Sequence, residues 1–249
     1  MLQPWQTGKV IRIVDESAST KRFWIEMQET ENFDFKPGQF VTLDLPIHEQ
    51  KNKRWRSYSI ASWPDGTNVI ELVIVLLEGG LGTHYLFNSI QEGSLLTLRG
   101  PQGVFVLPEV IEKDLFFICT GTGVAPFRAM VHDILIRQKP HKNIYLIFGC
   151  RKFCDGLYGD ELKQLEKELP SFHYIPTFSR EEPSNGDYRT GYVHSIYEEI
   201  CSNEKRQGVD SPYPANFFLC GWKNMIDEAK QRILAMGYEK RDIHQELYG

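Results

Sequence analysis

The sequence has no long hydrophobic segment that could cross a membrane. Its apolar runs, such as residues 73–77, are no longer than a strand, whereas a membrane-spanning helix needs about 20 apolar residues. The N-terminal residues also lack the basic stretch and apolar core of a secretory signal. We therefore expect no membrane insertion and no export.

Basic residues are outnumbered by acidic ones, and cysteines are few. The chain has 28 Lys and Arg against 33 Asp and Glu, a net charge of −5, which gives no general attraction to nucleic acid. An odd number of widely spread cysteines does not fit a disulfide framework and favours a reducing, cytoplasmic location. These residues are Cys119, Cys150, Cys154, Cys201 and Cys220.

Two kinds of sequence pattern divide the chain between residues 107 and 108. Before this point, short alternating runs are separated by Gly and Pro, which predicts an N-terminal antiparallel β-barrel over residues 1–107. After it, solid apolar runs alternate with amphipathic helical segments, which predicts a C-terminal α/β doubly wound parallel sheet over residues 108–249. Polar loops are expected at residues 181–189 and 202–214.

Individual elements follow from hydrophobic periodicity. In the first part, strands are predicted at residues 9–14, 22–27, 40–45, 69–77 and 94–98, with a short helix near 83–90. In the second part, strands are predicted at residues 115–119, 144–148, 172–178 and 217–220. Helices are predicted there at residues 126–138, 160–169, 193–201 and 224–236.

A glycine-rich turn follows the first buried run of the second part and opens a helix. Glycines let the backbone approach a diphosphate, and the helix start offers N–H groups and the positive end of the dipole. Pro126 replaces the third glycine of the G-x-G-x-x-G pattern, a position where proline suits a helix start. Gly121, Thr122, Gly123 and Pro126 are therefore candidate nucleotide contacts, and a plain strand–turn–helix connection is the alternative.

The ends of the next two predicted strands carry cations where an NAD-binding fold carries an acid. The first strand runs into Arg151 and the second into Ser179 and Arg180, with Arg189 after a short loop. Guanidinium and hydroxyl groups suit a 2′-phosphate, so these four residues favour NADP over NAD. A solvated loop in which neighbouring acids pair with the arginines is the alternative, and NAD(H) stays open.

The first part contains a second candidate site. On a strand, residues two apart share a face, so Arg56 and Tyr58 project together. An arginine for phosphate and an aromatic plane for stacking suit a flavin nucleotide, although a surface tyrosine on an edge strand explains the spacing equally well. A second glycine turn at residues 79–83 again leads into a helix, which makes it another diphosphate candidate.

Seven motifs in consistent order resemble the ferredoxin–NADP reductase family of flavoproteins over nearly the whole chain. They lie at residues 37–40, 56–62, 79–83, 100–105, 121–128, 148–151 and 220–225. The resemblance implies FAD in the barrel and NADP(H) in the α/β domain. It also implies hydride transfer between them and exchange of single electrons with a separate ferredoxin or flavodoxin.

The resemblance also implies roles for individual residues. Tyr58 would stack on the flavin, Arg56 would meet its pyrophosphate, and Ser59 would hydrogen-bond near flavin N5. Ser59 and Glu246 would support proton movement, and Cys220 would lie beside the nicotinamide, which makes these three the catalytic candidates. The FAD set is Arg56, Ser57, Tyr58, Ser59, Gly80, Gly82, Thr83 and Tyr248; the NADP set is Gly121, Thr122, Gly123, Pro126, Arg151, Ser179, Arg180, Arg189 and Cys220.

The C-terminal residues depart from the family pattern. Plant-type members end on the flavin-covering aromatic, whereas here Gly249 follows Tyr248 and the stretch after Cys220 is shorter. A surface tail for Glu246 and Tyr248, and a buried strand-end cysteine for Cys220, are the alternatives to their site roles.

Several functions remain open at this point. One alternative is an NADH-dependent reductase component of an oxygenase, or a flavin or quinone reductase; another is a non-catalytic electron-transfer or regulatory subunit. No cysteine spacing typical of zinc or an iron–sulfur cluster is present, so we expect no metal and a separate electron acceptor. We also expect a monomer.

Overall fold

Two six-stranded sheets organise the part of the chain that the computed structural model describes, residues 3–182, 188–203 and 212–248. The chain divides into two compact units. We call Met1–Leu107 with Ala125–Asp133 the β unit, and Pro108–Val124 with Ile134–Gly249 the α/β unit. Each unit has its own apolar core.

The sheet of the β unit is entirely antiparallel. Its strands are β1 (Gln6–Ser17), β2 (Thr20–Met27), β3 (Phe40–Asp44), β4 (Trp55–Ser59), β5 (Val69–Val75) and β6 (Leu95–Gln102). They lie in the order β4-β3-β6-β1-β2-β5, and helix α1 (Leu81–Asn88) connects β5 to β6. Alternate residues of β2, Phe23, Ile25 and Met27, are buried, as strand periodicity requires.

The sheet of the α/β unit is entirely parallel, in the order β10-β9-β8-β7-β11-β12. The strands are β7 (Asp114–Thr120), β8 (Ile144–Cys150), β9 (Phe172–Phe178), β10 (Arg189–Thr190), β11 (Ala215–Trp222) and β12 (Ile243–Tyr248). The helices are α2 (Ala125–Ile136), α3 (Gly159–Glu168), α4 (Val193–Asn203) and α5 (Lys223–Ala235), and the first residues of α2 group with the β unit.

This architecture confirms the predicted fold class, an antiparallel β part followed by a parallel α/β part. Three observed strands, β4, β10 and β12, are not among the predicted ranges, and β4 entered only through the spacing of Arg56 and Tyr58. The two-residue β10 is too short to show a pattern, and β12 contains few β-branched residues, so neither gave a strand signal. Residues 183–187 and 204–211 of the expected loops, and Gly249, lie outside the described residues.

One carboxylate fastens the starts of three neighbouring strands in the α/β unit. Buried Asp114 begins β7 and accepts hydrogen bonds from the backbone N–H and side-chain amide of Asn143, at 3.1 and 2.9 Å. It also accepts one from the hydroxyl of Tyr213. Since Asn143 precedes β8 and Tyr213 precedes β11, loss of Asp114 would leave donors unsatisfied at both neighbouring strands.

We predict that Asp114→Ala lowers the free energy of unfolding by about 3 kcal/mol, because it removes the acceptor from part-buried donors. Urea unfolding followed by circular dichroism measures the change. Glu109→Ala, which removes an exposed carboxylate from the same unit, should change it by less than about 0.5 kcal/mol. Equal losses in the two variants would contradict the role of Asp114.

Candidate functional site

In the β unit, Arg56 lies directly against a glycine in the first turn of α1. A Cβ built on Gly82 would lie 2.9 Å from Cγ of Arg56 and 3.3 Å from its Nε. The guanidinium is oriented by hydrogen bonds from Nη1 to the carbonyls of Lys53 (3.0 Å) and Trp55 (2.8 Å). The fold therefore brings two of the predicted diphosphate contacts, from β4 and α1, to one place.

The turn before α1 is held by the buried hydroxyl of Thr83. This hydroxyl donates to the carbonyl of Gly80 at 3.0 Å and accepts from the N–H of Leu77 at 3.1 Å. Helix geometry leaves the first-turn amides of Leu81, Gly82 and Thr83 without an intrahelical acceptor. A phosphate would thus meet the amides of this turn, while the Thr83 side chain shapes the turn itself.

Tyr58 and Arg56 share one face of β4, as their spacing predicts. Ser57 lies on the other face, where its hydroxyl is 3.1 Å from that of Thr42. Burial raises the pKa of the Tyr58 phenol to about 12, against a smaller lowering by the Arg56 guanidinium. The phenol is therefore neutral at physiological pH and packs on the core of the β unit. Ser59 is buried at the end of the same strand.

In the α/β unit, the glycine turn contacts the end of β11. Residues 121–124 form a single 3-10 turn that leads straight into α2. A Cβ on Gly123 would lie 2.4 Å from the backbone oxygen of Cys220. Since backbone atoms cannot move aside like a flexible side chain, this position requires glycine. Gly121 adopts the left-handed region, with φ of +54°, which also favours glycine.

Thr120 is a candidate site residue that sequence reasoning missed. It ends β7 directly before the glycine turn, and its Oγ1 is buried with no hydrogen-bond partner in the described part of the chain. A Cβ on Gly221, whose φ is +141°, would lie 2.5 Å from this oxygen. Buried hydroxyls are normally satisfied, so this one fits a ligand group bound at the turn. Its place next to Gly121 was the only sequence signal.

Strand β12 brings the three C-terminal candidates together. Its parallel register places Glu246 beside Cys220 and Tyr248 beside Trp222. Burial raises the pKa of the Cys220 thiol well above its ordinary value, Glu246 raises it further, and a hydrogen bond with the Tyr248 side chain lowers it in part. Cys220 is thus a neutral thiol at physiological pH, a state unsuited to a nucleophile. The catalytic candidate Ser59, in contrast, belongs to the β unit.

The four residues predicted to bind a 2′-phosphate fall into two groups. The N–H groups of Ser179 and Arg180 donate to the carbonyls of Cys150 and Arg151, at 3.0 and 2.9 Å, so the ends of β8 and β9 stay paired. Arg151, Ser179 and Arg180 are all exposed there. Arg189 instead forms an ion pair with Glu199 of α4, and its contact with a nucleotide stays a prediction.

Among residues 3–182, 188–203 and 212–248, no group of three or more His, Cys, Asp or Glu could hold a metal ion. Within the same residues, no helix combines the length and apolar character needed to cross a membrane. All five cysteines are free thiols.

Comparison with known protein families assigns a cofactor class to each part of the chain. Residues 7–107 match the oxidoreductase FAD-binding domain family, and residues 117–231 match the oxidoreductase NAD-binding domain family. The fold and sites therefore define an FAD-dependent NAD(P)H oxidoreductase, which confirms the expected cofactor classes.

Individual relatives identify the family to which the chain belongs within this class of oxidoreductases. It is 31% identical to ferredoxin–NADP reductase B of Sorangium cellulosum, over 97% of this chain and 96% of that protein. It is 32% identical to the phenol hydroxylase P5 protein of Acinetobacter pittii, of whose length it spans 66%. A ferredoxin NADP+ reductase structure from Neisseria gonorrhoeae with bound FAD and NADP superposes with a TM-score of 0.80, at 25% identity over 98% of both chains. The chain belongs to the ferredoxin–NADP reductase family.

We predict that Gly123→Ala weakens NADP+ binding at least about tenfold, or 1.4 kcal/mol, because the new Cβ forces the turn away from Cys220. FAD retention should not change, since its candidate contacts on β4 and α1 lie in the other unit. Difference spectroscopy during titration measures both.

Gly159→Ala is the matched control, because its Cβ would meet only the Tyr174 hydroxyl at 4.0 Å. This variant should bind NADP+ like the parent protein. Parental affinity in Gly123→Ala would contradict the assignment of the turn.

Proposed function

We propose that the protein transfers a hydride between NADP(H) and FAD and exchanges single electrons with a ferredoxin- or flavodoxin-type carrier. The choice of NADP rests on one observation. The ends of β8 and β9 are hydrogen-bonded to each other, which places Arg151, Ser179 and Arg180 at adjacent strand ends. Guanidinium and hydroxyl groups bind a 2′-phosphate, whereas an acid would bind the ribose hydroxyl of NAD.

The β unit would hold FAD through Arg56 and the first-turn amides of α1. Bound FAD would supply two kinds of chemistry: it accepts a hydride, and it releases electrons one at a time. Neutral Tyr58 would offer an aromatic plane beside the Arg56 charge. Buried Ser59 would donate a hydrogen bond toward the flavin and hold a proton there.

The α/β unit would hold the nicotinamide nucleotide at the glycine turn. The amides of residues 121–124 would bind its diphosphate, and the Thr120 hydroxyl would gain the partner that it lacks among the described residues. Cys220 would pack against the nicotinamide as a small neutral group, with the Glu246 carboxylate beside it as a proton acceptor. Stacking of Tyr248 on the flavin stays a prediction.

An NADH-dependent reductase component of an oxygenase is the second candidate function. It is favoured by the 32% identity to a phenol hydroxylase protein, although that protein is longer than this chain. A flavin or quinone reductase and a non-catalytic subunit stay alternatives. We further propose a cytoplasmic location, on the odd number and wide spread of the cysteines. A monomer stays a prediction.

The proposed electron output is tested with cytochrome c as the final acceptor. FAD-loaded protein with NADPH should reduce cytochrome c several times faster when a bacterial ferredoxin or flavodoxin is added. Equal rates with and without each carrier would reject a carrier-linked reductase and favour a small-molecule acceptor.

We predict that Arg180→Ala raises the KM for NADPH about tenfold, the effect of losing about 1.4 kcal/mol of phosphate binding. The KM for NADH should stay within about twofold, because NADH has no 2′-phosphate. Lys167→Ala, which removes an exposed charge on α3, controls for net charge and should change neither constant. Equal increases for NADPH and NADH would remove the 2′-phosphate assignment.

A further inference from the structure

We propose that Trp5, Arg99 and Trp55 form a docking surface for the acidic face of a one-electron carrier protein. These three residues, which we call the Trp–Arg cluster, lie within residues 1–107 of the β unit and include none of the candidate cofactor contacts. The proposal deepens the proposed function, and it rests on that function for the identity of the partner.

The cluster is a guanidinium in contact with two indole rings. Cζ of Arg99 lies 4.7 Å from the ring centre of Trp5 and 4.6 Å from that of Trp55. The two rings also contact each other, with centres 5.7 Å apart. A cation–π contact uses the face of an aromatic ring and leaves the in-plane N–H donors of the guanidinium available to an acceptor. The rings therefore hold the charge in place without satisfying its donors.

Strand pairing places the cluster on the face of the sheet that is turned away from the core. Asp44 of β3 pairs with Trp55 of β4 on one side and with Thr97 of β6 on the other, so these side chains share a face. Arg99 is two residues after Thr97 and lies on that face as well. Leu98, between them, points the other way and is fully buried in the core.

Arg99 has no carboxylate partner among the residues that the structure describes, and its Nε is buried there without a hydrogen-bond acceptor. Asp44, on the same face, already forms an ion pair with Arg54 at 2.7 Å. Other arginines of the chain, such as Arg189 and Arg232, pair with glutamates. Because buried donors are normally satisfied, the Arg99 guanidinium fits an anionic group supplied by another molecule.

The exposed apolar surface around Arg99 indicates that this molecule is a protein. Trp5 and Trp55 are 38% and 36% exposed, and Leu95, on the same face of β6 as Arg99, is 65% exposed. Trp and Arg are enriched among the residues that dominate protein–protein binding. A small anion would leave the indoles and Leu95 in water, whereas the face of a protein would cover them together with the guanidinium.

The charges around the cluster indicate that the partner is acidic. Exposed Lys51 and Lys53 belong to the 3-10 turn that ends two residues before Trp55. Exposed Lys9 of β1 pairs with Leu95 of β6. Since the whole chain carries a net charge of −5, this positive surface is a local feature. It would attract and orient an acidic protein that the rest of the molecule repels.

The position of the cluster on β4 favours an electron carrier among acidic proteins. Trp55 is three residues before Tyr58, about 10 Å along one strand. Tyr58 and Ser59 are the residues through which β4 would meet the flavin. A partner bound at Trp55 therefore lies next to the strand that would carry the electron donor.

The test is Arg99→Gln in the FAD-loaded protein, with NADPH as the donor, cytochrome c as the final acceptor, and an acidic bacterial ferredoxin or a flavodoxin as the carrier. We expect the KM for the carrier to rise about tenfold at low ionic strength, and kcat to stay within twofold, because the guanidinium acts in docking. The difference in KM should shrink as salt is added. Reduction of dichlorophenolindophenol by NADPH should stay within twofold, since this small acceptor needs no docking surface.

Arg241→Gln is the matched control. It also removes an exposed guanidinium, but one that pairs with Glu239 in the α/β unit, so the KM for the carrier should change by less than twofold. A folded Arg99→Gln protein with the parental KM would overturn the proposal, as would an equal rise in Arg241→Gln.

Hydrogen exchange of the parent protein with and without saturating carrier needs no variant. The carrier should slow exchange at residues 51–55, and protection confined to other residues would overturn the docking surface. The result also separates this proposal from the proposed function. Protection at residues 51–55 without reduction of cytochrome c would keep the surface and reject the electron output, whereas carrier-dependent reduction with protection elsewhere would do the reverse.

Discussion

The candidate nucleotide site depends on a backbone contact between Gly123 and Cys220. Parallel strands end at one edge of a sheet, so a turn placed there can meet several strand ends at once. Here the absence of a side chain at residue 123 lets the turn lie on the β11 backbone, and the absence of one at Gly221 leaves room for the Thr120 hydroxyl. Cys220, Glu246 and the buried Thr120 hydroxyl follow from that contact, because each is fixed by a strand that the turn touches.

The candidate diphosphate site of the β unit is formed by different elements. A glycine at the start of α1 admits Arg56 of β4 against the helix, so amides and a guanidinium face one place. In both units, a glycine turn opens a helix, and a helix start offers N–H groups that suit a phosphate. The FAD-binding family matches the part of the chain that contains the first turn, and the NAD-binding family matches the part that contains the second.

Local patterns sufficed to predict most of the strands and the helices, the glycine turns and the shared face of Arg56 and Tyr58. Contacts between distant residues could not be predicted in this way. The polar strand β12 joins the sheet through its pairing with β11, and Arg189 pairs with Glu199 across a loop. Glu71 and Arg128, which form a buried ion pair, are 57 residues apart, and neither lies in a pattern that indicates the other. Thr120 becomes a candidate only because its hydroxyl is buried and has no partner in the part of the chain that the structure describes.

The central claim is that one chain binds FAD and accepts hydride from NADPH in preference to NADH. An anaerobic visible spectrum of the FAD-reconstituted protein, recorded over time after each nucleotide, tests it most directly. The account predicts that the flavin band bleaches rapidly with NADPH and much more slowly with NADH. Faster bleaching with NADH, or no flavin retained after reconstitution, would contradict it.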